Sequence, residues 1–293
     1  MKKRLLALLL SSALMISFAG CGGAAEPSAQ PSQASSAGSS SASSTALEGK
    51  LTLNGSTSMA PVCQALGDAF TEKNPDVTIE QGGTGSGDAV PAVTGGTALI
   101  GNLSRELKDS ENPSDFEVVT IALDGIAVVV NGESKVADLT KDQIASIFSG
   151  EITDWSEVGG DAGAIKVVGR EASSGTRDGF ESIFGIKEKT KYGVEVSETG
   201  VVLSTVASDK NAIGYVSLAS VDESKGIKAL TVDGIEATEP NVADGSYFVQ
   251  RPFVQIYKKG SSDPLVKAWF EFLRSDEGQK IIEDAGLVPQ TIA

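Results

Sequence analysis

Short β-rich runs alternate with helical patterns through most of this chain, and this alternation limits its possible folds more than any other feature. The β-rich runs are residues 51–53, 77–80, 118–121, 126–130, 165–168 and 213–216. Parallel strands need a crossover long enough to hold a helix, so strands that alternate with helices predict an α/β fold with a mainly parallel sheet.

Several of the predicted helices have recognisable ends. One apolar helical face is formed by Val62, Leu66, Ala69 and Phe70. That pattern stops at Asn74, which precedes a proline. Thr140 and Gln143 have the spacing of a capping box at the start of another helix. Two further helical patterns, at residues 264–274 and 277–285, predict that the chain ends in a helical pair.

The first twenty residues have the layout of a signal peptide. Three basic residues are followed by an apolar run at residues 5–18 and two small residues before Cys21. The run is too short to span a bilayer comfortably. Its end resembles the bacterial lipobox, with Phe18 where leucine is usual. We therefore expect removal of residues 1–20 and acylation of Cys21; an ordinary secretory signal with an incidental cysteine is the alternative.

The segment that follows is predicted to be a lipid-anchored, flexible linker. Residues 21–46 consist almost entirely of Gly, Ala, Ser, Gln and Pro, without apolar periodicity. Such a segment cannot bury enough apolar surface to fold. It is typical of a tether that holds a domain away from a membrane surface. The rest of the chain is long enough for one large domain or two small ones.

The folded part is strongly acidic. Loss of the three basic residues near the N-terminus takes the formal net charge from −15 to −18. This charge disfavours nucleic acid or an anionic surface as a partner. An anionic ligand would have to be held by local dipoles and a few placed cations. With Cys21 assigned to the lipid, Cys63 has no disulfide partner, and we expect it to be a small buried hydrophobe.

A motif rich in Gly, Ser and Thr occurs three times, each time between a predicted strand and a helix. The segments are residues 55–58 (GSTS), 82–87 (GGTGSG) and 170–176 (REASSGT). A helix N-terminus offers unpaired N–H groups and partial positive charge, and an oxyanion satisfies both. Ser and Thr are also common N-caps, so one such loop would be ambiguous. Three together, one with Arg170, predict an anion site.

Motifs for nucleotide binding and for catalysis do not occur. Residues 82–87 lack the Lys-Ser or Lys-Thr of a Walker loop and the spacing of a dinucleotide fingerprint. The chain has no histidine, which removes Ser-His triads and most zinc sites. Its carboxylates form no recognisable pair. We therefore expect a binding protein that is not an enzyme and that holds no metal or cofactor.

From residue 50 to the C-terminus, the sequence resembles the phosphate-binding lipoproteins of ABC importers, in the shorter form common outside proteobacteria. The most specific segments are residues 55–61, 81–87, 103–107 (LSREL), 121–127 (IALDGIA), 152–155 (ITDW) and 170–177. The resemblance implies a two-lobed type II periplasmic-binding-protein fold, an α/β fold of mixed sheets flanked by helices, with the ligand cleft between the lobes. It further implies that residues 47–123 and 254–293 form lobe 1 and residues 124–253 form lobe 2.

The resemblance also implies a set of ligand-binding residues. Carried over by position, they are Thr57 and Ser58, Ser86, Ser174, Gly175 and Thr176, together with Arg170. Arg170 would supply charge-assisted hydrogen bonds, because a guanidinium group matches two oxygens at once and stays ionised. A surface ion pair with Glu171 is the alternative for this arginine.

One position departs from the family pattern. Many relatives have an aspartate where Ser104 stands, and that carboxylate accepts the proton of hydrogen phosphate. Arg105 follows directly and would contribute either positive charge or an inter-lobe salt bridge. We expect Asp124, near a strand crossover, to be the substitute acceptor. The alternative is that Asp124 caps backbone amides or pairs with Arg105.

The function implied by the resemblance is capture of inorganic phosphate by lobe closure and its delivery to ABC importer permease subunits. The protein would be a monomer, held by its lipid anchor on the extracytoplasmic face of the cell membrane. Three alternatives stay open. They are a binding protein for another tetrahedral oxyanion such as sulfate or molybdate, a phosphoryl-transfer enzyme that uses the same loops, and a surface sensor or adhesin with a vestigial site.

Overall fold

A computed structural model describes residues 46–292 of the chain. The predicted signal peptide, Cys21 and all but the last residue of the predicted linker lie outside this range. Within it, none of the helices is both long enough and apolar enough to cross a membrane.

Strands and helices alternate as the sequence predicts. The strands are β1 (Gly49–Gly55), β2 (Val77–Gly82), β3 (Ile100–Leu103), β4 (Phe116–Asn131), β5 (Asp138–Leu139), β6 (Lys166–Arg170), β7 (Val194–Val196), β8 (Ala212–Ser217), β9 (Ile227–Ala229), β10 (Thr231–Val232), β11 (Gln250–Lys258) and β12 (Val288–Pro289). The helices are α1 (Ala60–Lys73), α2 (Ala89–Gly95), α3 (Lys141–Ser149), α4 (Gly175–Phe184), α5 (Thr199–Ser208), α6 (Glu239–Ala243), α7 (Pro264–Arg274) and α8 (Asp276–Asp284). The predicted helix ends are confirmed: α1 ends at Lys73 with Asn74 as its C-cap, and Thr140 caps α3 by accepting from the Gln143 N–H at 3.2 Å.

The main sheet is mixed. Its strand order is β2-β1-β3-β11-β4-β8-β6-β7, and β9 and β12 also pair with β4. β1 is parallel to β2 and β3, and β6 is parallel to β7 and β8. The expectation of a mainly parallel sheet was wrong at the centre, where β11 is antiparallel to β3 and β4, and β4 is antiparallel to β8. The two β-rich runs predicted at residues 118–121 and 126–130 are one strand, β4.

The long strand β4 joins separate hydrophobic cores. Its first half, with Phe253 of β11, belongs to a core built on α1, α7 and α8. Its second half sends Val128 and Val129 into two different cores, because successive side chains of a strand point to opposite faces of the sheet. At the boundary between the halves, Asp124 lies directly opposite Arg251 of β11.

Cys63 lies in the first of these cores, on α1. Its thiol is free and almost completely buried. Burial raises the pKa of the Cys63 thiol to about 12, so it stays protonated. This agrees with the small buried hydrophobe expected from the sequence.

The three Gly, Ser and Thr loops all follow the carboxyl ends of strands. They connect β1 to α1, β2 to α2, and β6 to α4. In open α/β sheets, ligands bind outside the carboxyl ends of the strands. The first loop turns at Gly55, where φ is 135° and an added Cβ would lie 2.2 Å from the carbonyl oxygen of Asn102. A glycine is needed there for the loop to pass so close to β3.

Candidate anion site

Hydroxyl groups from both halves of the sheet meet at one place. Ser58 Oγ lies 2.8 Å from Thr176 Oγ1, and Ser86 Oγ lies 3.2 Å from Ser104 Oγ. Ser86 Oγ also accepts a hydrogen bond from the Ser104 N–H at 3.0 Å. An added Cβ on Gly175 would lie 2.3 Å from Ser86 Oγ, so the third loop can approach the second this closely only with a glycine. The fold therefore brings residues of all three loops, and Ser104, together.

The third loop forms the N-terminus of α4. Ser174 is the N-cap, and its Oγ accepts from the Arg177 N–H at 3.3 Å. Gly175 and Thr176 form the first turn, where backbone N–H groups have no intrahelical acceptor. Ser174 thus caps the helix, as an N-cap serine usually does, and Gly175 beside it lies close to Ser86 and Ser104.

Arg170, the last residue of β6, is a buried cation with neutral partners. Its Nη2 donates to the carbonyl oxygens of Thr84 at 3.1 Å and Ser197 at 2.6 Å, and its Nη1 donates to Thr199 Oγ1 at 3.1 Å. Its Nε is buried and has no hydrogen-bond partner within residues 46–292. The ion pairs of that range do not include one between Arg170 and Glu171. Burial, with the charge of a neighbouring arginine, lowers the pKa of Arg170 from 12.5 to about 10.

A chain of polar side chains fixes the backbone of Arg170. Its N–H donates to Tyr215 Oη at 3.3 Å, and the hydroxyls of Tyr215 and Tyr192 lie 2.9 Å apart. Tyr192 in turn donates to Glu181 Oε1 at 2.9 Å. Arg177 donates to the same carboxylate oxygen at 2.9 Å and to the carbonyl oxygen of Arg170 at 2.8 Å. Both backbone groups of Arg170 are therefore held by side chains.

A fourth loop, which the sequence analysis missed, contributes Thr199. Its Oγ1 lies 3.2 Å from both Thr57 Oγ1 and Ser58 Oγ, and it accepts from Arg170. The signal was present, because residues 197–200 (SETG) run from the end of β7 into the first turn of α5, in the same strand, polar loop and helix order as the other three. A cavity of about 360 Å³ opens beside these hydroxyls, lined in part by Thr57, Thr199 and Gly83.

Arg105 has its partners within its own loop. Its Nη1 and Nη2 donate to the two carboxylate oxygens of Glu111 at 2.8 and 2.7 Å, and Nη1 also donates to the Glu106 carbonyl oxygen at 2.8 Å. Among residues 46–292 the ion pair of Arg105 is therefore with Glu111, in place of the inter-lobe salt bridge considered from the sequence. In the same loop, Lys108 Nζ lies 3.5 Å from Oδ1 of Asp178 on α4.

Asp124 is completely buried and is paired with Arg251, not with Arg105. Its Oδ2 accepts from Arg251 Nη2 at 2.9 Å and Nε at 3.3 Å, and its Oδ1 accepts from Ser217 Oγ at 2.9 Å. Burial raises the pKa of Asp124, and the charge of Arg251 opposes that rise. Sequence reasoning did not find this partner, which is 127 residues away in the chain.

The fold and the site define a class of protein, and comparison with known sequences agrees. The sequence model of the PBP superfamily domain matches residues 33–277. The phosphate-binding protein PstS of Bacillus subtilis (strain 168) is 33% identical over 293 residues, which cover 99% of this chain and 95% of the relative. That of Staphylococcus haemolyticus (strain JCSC1435) is 30% identical over 259 residues, 83% of this chain and 81% of the relative. The chain belongs to the PstS family of phosphate-binding proteins, as the sequence predicted.

Solved structures agree on the fold. A Clostridium perfringens protein assigned as a phosphate ABC transporter substrate-binding protein, with bound phosphate, is 39% identical with a TM-score of 0.79. The match covers 83% of this chain and all of that one. An ABC-type phosphate transport receptor from Vibrio cholerae is 33% identical with a TM-score of 0.68, over 82% of this chain and all of the receptor. The predicted two-lobed periplasmic-binding-protein fold is confirmed.

Proposed function

We propose that this protein captures inorganic phosphate outside the cytoplasm and delivers it to the permease subunits of an ABC importer. The observation that carries the proposal is Arg170, a buried cation with only neutral acceptors, placed where loops from both halves of the sheet converge. Burying a charge without a counterion is costly, and a bound oxyanion would offset that cost. Family membership supports phosphate as the anion.

The ligand contacts in this proposal come from hydroxyl groups, helix N-termini and one guanidinium group. The contacting residues are Thr57, Ser58, Ser86, Ser104, Arg170, Ser174, Gly175 and Thr176. Arg105 and Asp124 act indirectly, because Glu111 and Arg251 already compensate their charges. Any preference for phosphate over sulfate that comes from Asp124 is then limited to the electrostatic effect of its carboxylate at the ligand.

We propose residues 47–123 and 254–293 as one lobe and residues 124–253 as the other. Separate hydrophobic cores on either side of the Asp124 position support this division. Contacts between the proposed lobes include the Ser58 and Thr176 hydroxyls and a 2.9 Å hydrogen bond from the Gly87 N–H to the Ser173 carbonyl oxygen. A ligand bound by both lobes would stabilise their closed arrangement.

Binding without turnover completes the proposal, with the protein acting as a monomer. The polar groups that converge are hydroxyls, amides and a guanidinium, and the buried carboxylate of Asp124 is held by Arg251 and Ser217. The Ser217 hydroxyl does donate to the Asp124 carboxylate, but Arg251 neutralises that carboxylate, which makes it a weak base for activating a nucleophile. Steady release of phosphate from a chromogenic ester would contradict the proposal.

Calorimetric titration of the full chain with phosphate, sulfate and molybdate tests the proposal directly. We expect phosphate to bind more tightly than the other two anions. Equal or tighter binding of sulfate or molybdate would mean that the protein captures that oxyanion and not phosphate alone. No binding of any of the three would leave a sensor or adhesin with a vestigial site.

We also propose attachment to the extracytoplasmic face of the membrane through a lipid on Cys21. Metabolic labelling with a clickable fatty acid tests this. We expect the parent protein to be labelled and Cys21→Ala to be unlabelled and released. Equal labelling of both proteins would exclude Cys21 as the attachment point.

A further inference from the structure

We propose that Thr199 is a further ligand-contacting residue, which joins the fourth loop to the anion site and orients Arg170. This inference rests on the proposed phosphate-binding function and adds a contact that comes from neither the three Gly, Ser and Thr loops nor the Ser104 position. It also gives α5 a direct part in holding the two halves of the site together.

Thr199 lies close to several of the proposed ligand-binding residues. Thr199 is the first residue of α5 and is 5% exposed. Its hydroxyl is within hydrogen-bond distance of Thr57, Ser58 and Arg170. An oxyanion that contacts those three residues at once would lie beside the Thr199 hydroxyl, which is near all three.

The hydrogen-bonding capacity of the hydroxyl groups around Thr199 also favours an anion. A hydroxyl has one proton and two acceptor lone pairs. Arg170 Nη1 occupies one lone pair of Thr199 Oγ1, so the proton points away from the guanidinium group. Thr57 and Ser58 also have one hydroxyl proton each, and these two groups and Thr199 lie together. A bound phosphate can accept all three protons, because its unprotonated oxygens have free lone pairs and carry the negative charge.

Thr199 also helps to fix the orientation of the guanidinium plane of Arg170. Its Nη2 is held by two backbone carbonyl oxygens, whereas within residues 46–292 Nη1 donates to the Thr199 hydroxyl. Without the Thr199 hydroxyl, the Nη1 edge would lose its acceptor and the plane could turn. Misplacing a charge-assisted donor weakens it, because such bonds depend on geometry.

Thr199 lies between the proposed lobes. Thr57 and Ser58 come from the loop after β1, whereas Arg170 ends β6 and Thr199 begins α5, the helix after β7. The backbone N–H of Thr199 also points to Thr57 Oγ1, at 3.4 Å. Thr199 therefore contacts the ligand-binding residues of both halves, and a ligand contact there would favour closure.

The test compares hydroxyl removal with hydroxyl retention in the full chain. Thr199→Val keeps the shape of the side chain without its hydroxyl, and Thr199→Ser keeps the hydroxyl without the methyl group. Thr205→Val, on the same helix, is the matched control, because the Thr205 hydroxyl donates only to the Val201 carbonyl oxygen at 2.7 Å. Phosphate affinity is measured by calorimetry, and the ligand-free melting temperature is recorded for each protein.

We expect Thr199→Val to bind phosphate about tenfold or more weakly than the parent, because hydrogen bonds to charged groups are the strong ones. Thr199→Ser should stay within about threefold and Thr205→Val within about twofold, since both keep the hydroxyl of Thr199. Thr199→Ala, which also lacks the hydroxyl, gives a second measurement if Thr199→Val folds poorly.

Two results would overturn the inference while the parent still binds phosphate. One is a hydroxyl-free variant with the affinity of the parent. The other is an equal loss in Thr199→Ser and Thr199→Val, which would assign the effect to packing. A parent protein that does not bind phosphate would instead contradict the proposed function itself.

Discussion

The two arginines at the centre of the molecule, Arg170 and Arg251, are held in opposite ways. Arg251 faces Asp124 across β4 and β11, and two of its nitrogens donate to one carboxylate oxygen, at 2.9 and 3.3 Å. Arg170 donates to two backbone carbonyls and a hydroxyl, all of them neutral. Both are almost fully buried, and burial lowers the pKa of both. The desolvation cost is compensated by a counterion in one region and by dipoles in the other.

This difference separates a structural charge from a functional one. The Asp124 and Arg251 pair carries no net charge and lies on the strands that join the cores. Arg170 holds a positive charge beside the hydroxyl groups without a carboxylate among its hydrogen-bond partners in residues 46–292, and the more distant charges of Glu171 and Glu198 favour it. Proteins tolerate such local costs mainly where function requires them. The comparison therefore supports the proposal that Arg170 is the cation that binds the ligand.

The largest expected effect is on phosphate affinity when Arg170 is replaced. Arg170→Met removes the charge but keeps apolar volume. Removing one partner of a buried charge typically costs about 3–5 kcal/mol, so the affinity should fall by about 100-fold or more. The ligand-free melting temperature should not fall, because the replacement also removes the cost of burying a charge that has no carboxylate bonded to it. Calorimetry and a thermal melt measure the two quantities, and an affinity within twofold of the parent would remove Arg170 from the site.

Replacement of Arg251 should have the opposite profile. Arg251→Met leaves the Asp124 carboxylate buried without its counterion, and the free energy of unfolding should fall by about 3–5 kcal/mol. Asp124→Asn in the same protein should recover most of this loss. Urea unfolding of the single and double variants measures the coupling between the two residues.

The same Arg251→Met variant should have a pH signature. Burial raises the pKa of Asp124, and without Arg251 nothing as strong opposes that rise. The folded protein then binds a proton more readily than the unfolded chain, so stability should fall as pH rises above the ordinary carboxyl pKa of about 3.9. Loss of phosphate binding without loss of stability would break the comparison and make Arg251 the ligand cation.

Much of the site follows from local sequence. Glycines, hydroxyl residues and strand-to-helix junctions are short-range signals, and they identified the loops that contain Ser58, Ser86 and Thr176. Thr199 was missed because the strand before it, β7, has three residues and gives a weak pattern. The helix limits were predictable for the same local reason, as the Thr140 capping box shows.

Long-range pairing could not be predicted from these signals. Asp124 and Arg251 meet because β4 and β11 pair antiparallel, and the register between two distant strands is not encoded in either strand alone. The pairing of Arg105 with Glu111 depends on the path of a loop. A charged residue in a sequence motif therefore predicts a site, but its counterion decides whether that charge is available to a ligand.

A smaller effect is expected from Arg170→Lys, which keeps a cation in the same environment. Burial lowers the pKa of Arg170 to about 10, and the same burial would bring a lysine, whose ordinary pKa is about 10.4, toward neutral pH. The ratio of variant to parent phosphate affinity should therefore fall as pH rises from 6 to 9. Titrations of both proteins at each pH cancel the ionisation of phosphate itself, and a constant ratio would show that burial does not control this group.

The smallest expected effect comes from Tyr215→Phe, which changes how Arg170 is positioned and leaves its charge alone. Burial raises the pKa of Tyr215 to about 12, so its hydroxyl stays protonated, accepts from the Arg170 N–H and can donate to Tyr192. A phenylalanine keeps the stacking on Phe180, at 4.2 Å between ring centroids. One neutral hydrogen bond is worth about 1 kcal/mol, so phosphate affinity should fall less than about fivefold. Tyr192→Phe is the matched control, because it removes the next hydroxyl of the same chain without touching Arg170, and calorimetry should find it closer to the parent. A tenfold loss in Tyr215→Phe alone would mean that the backbone of Arg170, as well as its charge, must be fixed for the anion to bind.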